Sequence, residues 1–131
     1  NFWLNMKNFS DKIEIIVTTK YLLEQSKPEQ NQYFFAYSIT VTNKGLETIR
    51  LLNRYWHIED DNKKVQEVYG EGVVGQKPQI APGKSFNYTS GAIIATGFGK
   101  MHGSYEMQLP SGEKFKTPIP PFFLSIPQTL H

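Results

Sequence analysis

The sequence predicts a single all-β sandwich domain of about seven to nine short antiparallel strands. Apolar and polar residues alternate with a period of two in several segments, as expected for strands that bury one face. Turn-forming glycine, proline and asparagine residues separate these segments at short intervals. No segment sustains the period of a helix, although residues 21–25 fit either a helical turn or a continued strand.

The N-terminal third contains two predicted strands. Ile13, Ile15 and Val17 alternate along the first strand, and a turn over residues 27–31 follows. The clearest strand covers residues 33–42. Its predicted buried face consists of Tyr33, Phe35, Tyr37, Ile39 and Val41.

A third strand is predicted from Thr48 to about Asp60, after a turn at residues 43–45. We expect Leu52, Trp56 and Ile58 on its buried face, with Trp56 filling the core. A further turn then leads into a fourth strand over residues 65–69.

The C-terminal half is predicted to contain a long loop over residues 70–83 and strands near residues 85–89, 103–109 and 113–116. Gly112 supplies the positive φ that the connection between the last two strands needs. The closing stretch, residues 119–126, lies among three prolines that lack an N–H donor, at positions 118, 120 and 121. It must therefore form a sheet edge or begin a strand after them.

The composition narrows the possible functions. Fourteen basic and 12 acidic residues give a net charge of +2, too small for the positive field that general nucleic-acid binding requires. The chain has no cysteine, which excludes thiolate chemistry and suits a cytoplasmic location. No apolar run suits membrane insertion. We expect residues 1–5 to be an expression remnant or an upstream extension, and residues 6–131 to form the domain.

A literal G-x-G-x-x-G begins at Gly70. In dinucleotide-binding folds this pattern holds pyrophosphate at a helix N-terminus, but Pro78 follows too soon for a helix to begin. A glycine-rich turn, or a nest of backbone N–H groups for an anion, fits the context better. The candidate ligand-binding residues of this loop are Gly70, Gly72, Val73, Val74, Gly75, Lys77 and Pro78.

Candidate metal ligands end the third strand. His57, Glu59 and Asp61 alternate along one face, and Asp60 is adjacent, so a divalent cation such as Co²⁺ or Mg²⁺ is one hypothesis. Residues two apart on a strand are about 7 Å apart, so the chain would have to bend to bring all three together. A solvated polar face is the alternative.

A candidate interface lies in the tail at Pro120, Pro121, Phe122 and Phe123. Such a strip could bind a partner or a second copy of the chain as a homodimer. Alternatively, one of the two phenylalanines packs into the core, because strand alternation sends only one of them inward. We find no motif with the spacing of a catalytic centre.

The order of these residues resembles the ApaG (CorD) family over about residues 13–127. The matching positions are Arg54-x-Trp56, Asp60, Val65-Gln66-Glu67-Val68, Gly70-Glu71-Gly72-Val73-Val74-Gly75, Pro78, Pro82-Gly83, Phe86, Tyr88-Thr89-Ser90-Gly91, Met101, Gly103, Tyr105 and Met107.

The resemblance implies a fibronectin-type-III-like or immunoglobulin-like sandwich, a bacterial cytosolic protein and a genetic link to cobalt resistance and magnesium efflux. It implies no catalytic residues. Related domains look like interaction modules. The family's turn glycine after Asn62 is Lys63 here, so we expect Asn62 to take the left-handed conformation.

The leading hypothesis is a non-enzymatic binding module that recognises a protein or a small anionic ligand through the loop over residues 70–83 and the neighbouring strand edge. A divalent-cation binding protein is the second hypothesis. A nucleotide- or pyrophosphate-binding protein that uses the glycine motif is the third.

Overall fold

The computed structural model describes residues 9–127 and confirms an all-β sandwich of eight strands. Residues 1–5, which we expected to be an expression remnant or an upstream extension, lie outside the described residues. The strands are β1 Ile13–Tyr21, β2 Tyr33–Asn43, β3 Ile49–Asp60, β4 Val65–Glu71, β5 Gln79–Ile80, β6 Ser85–Ile94, β7 Phe98–Gln108 and β8 Lys114–Ser125. Two short 3₁₀ helices, Ser10–Lys12 and Pro28–Gln30, precede β1 and β2. Within residues 9–127, no helix has the length and apolar character needed to cross a bilayer.

The strands form two antiparallel sheets. One has the order β1-β2-β6, and the other has the order β4-β3-β7-β8 with the short β5 also paired to β3. Immunoglobulin-type sandwiches pair strands A, B and E against C, F and G, and here β1, β2, β6 and β3, β7, β8 take those places. Strand β4 extends the second sheet beyond β3.

Strand β2 has the predicted alternation. Phe35, Tyr37, Ile39 and Val41 are all buried, and they face a second layer from the larger sheet. Trp56 lies in that layer at 2% exposure and packs edge-on against Tyr37, with ring centroids 5.3 Å apart. Trp56 therefore fills the core, as predicted.

The predicted buried face of β3 is wrong at one position. Leu51 is completely buried and Leu52 is only partly so. The register between β3 and β7 shifts between Leu51 and Asn53. A bulge adds one residue to one strand and so reverses which side chains point inward beyond it. Trp56 and Ile58 lie after the bulge and face the core as expected.

The C-terminal segment forms one continuous strand, whereas we expected two. Strand β8 is the outer edge of the five-stranded sheet, which confirms that the prolines lie on an edge. Met101 pairs with Phe122 and Gly103 pairs with Ile119, so two residues, Pro120 and Pro121, stand opposite His102. A bulge accommodates residues without an N–H donor.

The turn between β3 and β4 differs from the prediction. Lys63, with φ of 68°, takes the left-handed conformation that we expected at Asn62. The buried carboxylate of Asp60 explains the difference, because it accepts hydrogen bonds from the backbone N–H groups of Asn62 at 2.8 Å and Lys64 at 3.0 Å. These bonds fix Asn62 and Lys64, so the chain reverses its direction at Lys63, which takes the positive φ.

Candidate binding site

The predicted long loop is more structured than expected. Residues 70 and 71 belong to β4 and residues 79 and 80 form β5, so the irregular segment is residues 72–78, here called the glycine loop. Val73 and Gln76 exchange two backbone hydrogen bonds of 2.8 and 2.9 Å at its tip. Val74 and Gly75 between them have φ of 43° and 79°, as a type I′ turn requires.

The glycine loop is anchored in the core, and three of its backbone N–H groups bond to carbonyls of the protein itself. Val73 is completely buried. The backbone N–H of Gly72 donates to the carbonyl of Leu52 at 2.7 Å, and those of Val73 and Gln76 close the turn. No α-helix follows in the part of the chain that the structure describes. The geometry of a pyrophosphate cradle at a helix N-terminus is therefore absent from this loop.

Arg54 on β3 holds the base of the glycine loop. Its Nη1 donates to the carbonyl oxygens of Glu71 at 3.0 Å and Gly72 at 2.9 Å. Gly70 pairs with Arg54 across the two strands, and a Cβ there would lie 2.6 Å from the guanidinium carbon. The absence of a side chain at Gly70 thus leaves the space that the Arg54 guanidinium occupies.

The other loop candidates have structural partners. Lys77 lies 3.7 Å from the carboxylate of Glu71, with both side chains largely exposed, and the carbonyl of Pro78 accepts from the N–H of Leu51 at 3.0 Å. Gly72 admits no side chain, because a Cβ would lie 2.2 Å from the carbonyl oxygen of Gln76. The exposed side chain at the tip is Val74.

A cleft of about 310 Å³ opens on the five-stranded sheet beside the base of this loop. Strands β3, β4, β7 and β8 all contribute to it. Its lining residues are Asn53, Arg54, Tyr55, Tyr69, Ser104, Glu106 and Lys116. Glu106 is engaged by the amide of Asn53 at 2.7 Å. The cleft therefore combines the cationic side chain of Lys116, one bonded carboxylate and two aromatic rings, whereas the Arg54 side chain points to the opposite face of β3, over Gly70.

The two tyrosines of the cleft are joined through Glu67. Tyr55 and Tyr69 face each other across β3 and β4, with ring centroids 4.8 Å apart. Both hydroxyls donate to the same carboxylate oxygen of Glu67, at 2.8 and 3.3 Å. The hydrogen bond to Glu67 raises the pKa of Tyr55 to about 12, because the carboxylate disfavours the phenolate. This face thus presents neutral aromatic groups over the ordinary pH range.

The proposed metal ligands are not gathered at one point. Asp60 is buried and caps its own turn, whereas His57 and Glu59 are partly exposed and alternate with it along β3. His57 instead stacks on His102 across β3 and β7, with ring centroids 4.6 Å apart. Among the described residues, no three histidine, aspartate or glutamate side chains are grouped to hold an ion.

The two phenylalanines of the candidate interface in the tail point to opposite faces of β8, as strand alternation requires. Phe122 packs against Trp56 and Tyr37, with ring centroids 5.8 and 6.1 Å apart, so it belongs to the core boundary and not to a free surface. Phe123 is exposed and stacks on Phe98 at 5.5 Å. Pro120 and Pro121 are also exposed.

Neither the pair of Tyr55 and Tyr69 in the cleft nor the role of Arg54 at the base of the glycine loop was identified from the sequence. The turn after Asp60 was recognisable, and pairing outward from it places Tyr55 opposite Tyr69. Arg54 shares the phase of Trp56 and so lies on the core side of β3, but its contact with Gly70 depends on the pairing of β3 with β4.

A family model and named relatives match this chain over most of its length. The family model for the ApaG domain matches residues 23–109, which include β2 to β7. The chain belongs to the ApaG family. Protein ApaG of Azoarcus sp. is 47% identical over 125 residues, covering 95% of this chain and 98% of the relative. Protein ApaG of Ectopseudomonas mendocina is 50% identical, with coverage of 92% and 95%.

The ApaG assignment also agrees with a solved structure. The crystal structure of an ApaA protein from Bordetella pertussis has 44% sequence identity and a TM-score of 0.86, covering 89% of this chain and 95% of its own. The domain described here is therefore similar in sequence and in backbone to ApaG-family members along nearly all of its length.

Proposed function

We propose that this ApaG-family domain is a non-enzymatic binding module that captures an extended segment of a partner protein along the free edge of β4. The observation that carries the proposal is the exposure of β4. Six of its seven residues are exposed, and no strand among the described residues pairs with its outer side. An unpaired strand edge presents a row of N–H and C=O groups, which an added strand can satisfy.

The side chains of β4 favour a peptide partner. Val65, Val68 and Tyr69 are 44%, 37% and 74% exposed, so both faces of the strand offer apolar contact. Backbone pairing would supply affinity, and these alternating side chains would supply specificity. The cleft beside Tyr69 can receive a side chain of the added segment.

Strand β4 is also held in place before any partner arrives. Asp60 caps the turn that precedes it, Arg54 fixes the loop that follows it, and the amide of Gln66 donates to the carbonyl of Ile93 on β6 at 3.0 Å. A rigid edge loses little conformational entropy when it binds a partner.

The opposite edge of the same sheet differs. Strand β8 carries Pro118, Pro120 and Pro121, and prolines block the addition of a further strand. Strand β4 has no proline. Prolines thus protect the β8 edge of this sheet from strand addition and leave the β4 edge unprotected, which supports peptide binding at β4.

The family's link to cobalt resistance and magnesium efflux, and a cytoplasmic location, fit this proposal if the domain acts through a protein partner. The curated relatives carry the name Protein ApaG, which states no enzymatic activity. A role in cation handling would then belong to the assembled complex.

A displayed library of random peptides would test the proposal. Peptides selected on the wild-type domain would be measured against Val65→Lys/Tyr69→Lys, which places charges on the exposed edge strand, and against Ile16→Lys as a matched change on exposed β1. We expect the double variant to weaken binding by about tenfold or more, since hot-spot tyrosines contribute about 2 kcal/mol each, and Ile16→Lys to leave it unchanged.

Nuclear magnetic resonance of the selected complex gives the second readout. Amide hydrogens of β4 should become protected from exchange, as a new strand pairs with them. Failure to select any peptide, or selected peptides that bind both lysine variants equally, would contradict the proposal.

A further inference from the structure

Arg54 uses only part of its hydrogen-bonding capacity within the protein. Its Nη1 donates to the carbonyls of Glu71 and Gly72, whereas Nε and Nη2 have no hydrogen-bond partner among residues 9–127. Neither atom is among the buried polar atoms that lack a partner, so both remain in contact with solvent. The Nε and Nη2 hydrogens form one edge of the guanidinium plane, and that edge is free.

The charge of Arg54 is also uncompensated. The described residues form two ion pairs, Lys44 with Glu14 and Lys77 with Glu71, and Arg54 is in neither. A partly buried cation without a counter-charge favours the binding of an anion. Arg54 is already fixed by two carbonyls and by Gly70, so an anion would meet a preorganised group.

Three tyrosine hydroxyls lie within the electrostatic influence of Arg54. Burial raises the pKa of Tyr37, Tyr88 and Tyr105, and the positive charge of Arg54 opposes this effect at all three. No aspartate or glutamate contributes to any of these shifts. These tyrosines lie on β2, β6 and β7, and the hydroxyls of Tyr88 and Tyr105 bond to each other, so none of them supplies a negative charge to Arg54.

We propose that the free Nε and Nη2 edge of Arg54 is a binding site for a single oxyanion, a carboxylate or a phosphate group. A planar guanidinium edge matches two oxygens of such a group with two parallel hydrogen bonds. The site is formed by a side chain, not by the N–H groups of the glycine loop. It does not depend on peptide capture by β4.

The Nε–Hε resonance of Arg54 in the ¹⁵N-labelled wild-type domain reports on this edge directly. Sodium phosphate and sodium acetate would be titrated separately at constant ionic strength, balanced with sodium chloride. We expect a saturable shift of the Arg54 signal and no comparable shift for Arg50, which is exposed on the same strand. The anion with the tighter saturation identifies the site as one for phosphate or for carboxylate.

The rise in melting temperature that phosphate or acetate causes in two variants provides the second test. Arg54→Lys keeps the charge but lacks the planar edge, and Arg50→Lys is the matched control. Anion binding should weaken roughly tenfold or more in Arg54→Lys, because an ammonium group cannot form the two parallel hydrogen bonds, and should persist in Arg50→Lys.

An Arg54 signal that moves linearly, that follows Arg50, or that responds equally to chloride would overturn the proposal. Equal affinity in Arg54→Lys and the wild type would do so as well. If Arg54→Lys does not fold, the wild-type titration decides alone. Because both readouts use small anions, failure here leaves the peptide-binding proposal intact, and failure of peptide selection leaves this one intact.

Discussion

The guanidinium of Arg54 lies against the backbone of Gly70, in the space that a Cβ at position 70 would occupy. The two residues are directly paired between β3 and β4. The Arg54 side chain can take this position because Gly70, opposite it on β4, has no side chain. Through Arg54, this pair also determines where the glycine loop begins, because the same guanidinium holds the carbonyls of Glu71 and Gly72.

Gly70→Ala should destabilise the domain by about 1–3 kcal/mol, because the Arg54 guanidinium would have to move and would lose its hydrogen bonds to two carbonyls. The methyl group would push Arg54 away and release its two carbonyl bonds. Urea unfolding would measure the loss. Gly91→Ala is the matched control, because its Cβ would meet only the carbonyl of Phe35 at 3.5 Å, an ordinary contact. Equal stability of Gly70→Ala and the wild type would show that Arg54 is not constrained as described.

Val74→Gly should stabilise the domain by about 0.5–1 kcal/mol. A β-branched residue at φ of 43° is strained, and glycine removes the strain at some cost in unfolded-state entropy. Val65→Gly, on a regular strand, should instead be destabilising. Denaturant midpoints at equal m-values would compare the two. A loss of stability in Val74→Gly would mean that the side chain makes contacts outweighing the strain.

Asp60→Ala should cost about 1–3 kcal/mol, because two backbone N–H groups lose their acceptor. The loss of stability should be the same in EDTA and in millimolar Mg²⁺ or Co²⁺, because it arises from the hydrogen bonds of the turn and not from a bound cation. Asp61→Ala, an exposed neighbour, should change stability by less than about 0.5 kcal/mol. A stability difference that appears only with a divalent cation present would instead favour the metal-binding hypothesis.

Tyr88 and Tyr105 share a buried hydrogen bond between the two sheets. Tyr88→Phe or Tyr105→Phe alone should cost about 1–3 kcal/mol, because each leaves a buried hydroxyl without its partner. The double phenylalanine variant should cost less than the sum of the two. A double-mutant cycle by urea unfolding measures the difference. Simple additivity would indicate that the hydroxyls do not depend on each other.

The ionisation of Tyr55 should depend on Glu67. The pKa of Tyr55 is raised from 10.0 to about 12, first by the hydrogen bond to Glu67. Because the raised pKa favours the protonated native state, the associated stability is complete below pH 10 and lost between pH 10 and about 12. Nuclear magnetic resonance of the Tyr55 ring should show its midpoint falling toward 10 in Glu67→Gln. Glu59→Gln, on the same strand as Tyr55, should leave it unchanged.

Parts of the fold that depend on local pattern were predictable. The alternation of β2 identified its buried face, and the same rule required that only one of Phe122 and Phe123 turn inward. The prolines placed β8 on an edge. The candidate site was less predictable, because Arg54 interacts with residues 16 to 18 positions away. Its contact with Gly70 also depends on the register between β3 and β4.

The sequence by itself determined the fold class, the family and most strand positions, because hydrophobic alternation and turn chemistry act between residues close together in the chain. Tertiary structure alone decided the change of phase in β3 between Leu51 and Asn53, the left-handed conformation of Lys63 and the assembly of Arg54 with Gly70. The change of phase and the contact of Arg54 with Gly70 follow from pairing between strands, whereas the conformation of Lys63 follows from the hydrogen bonds that the Asp60 carboxylate accepts. A one-residue shift in pairing reverses which side chains face the core, and this shift leaves no local mark in the sequence.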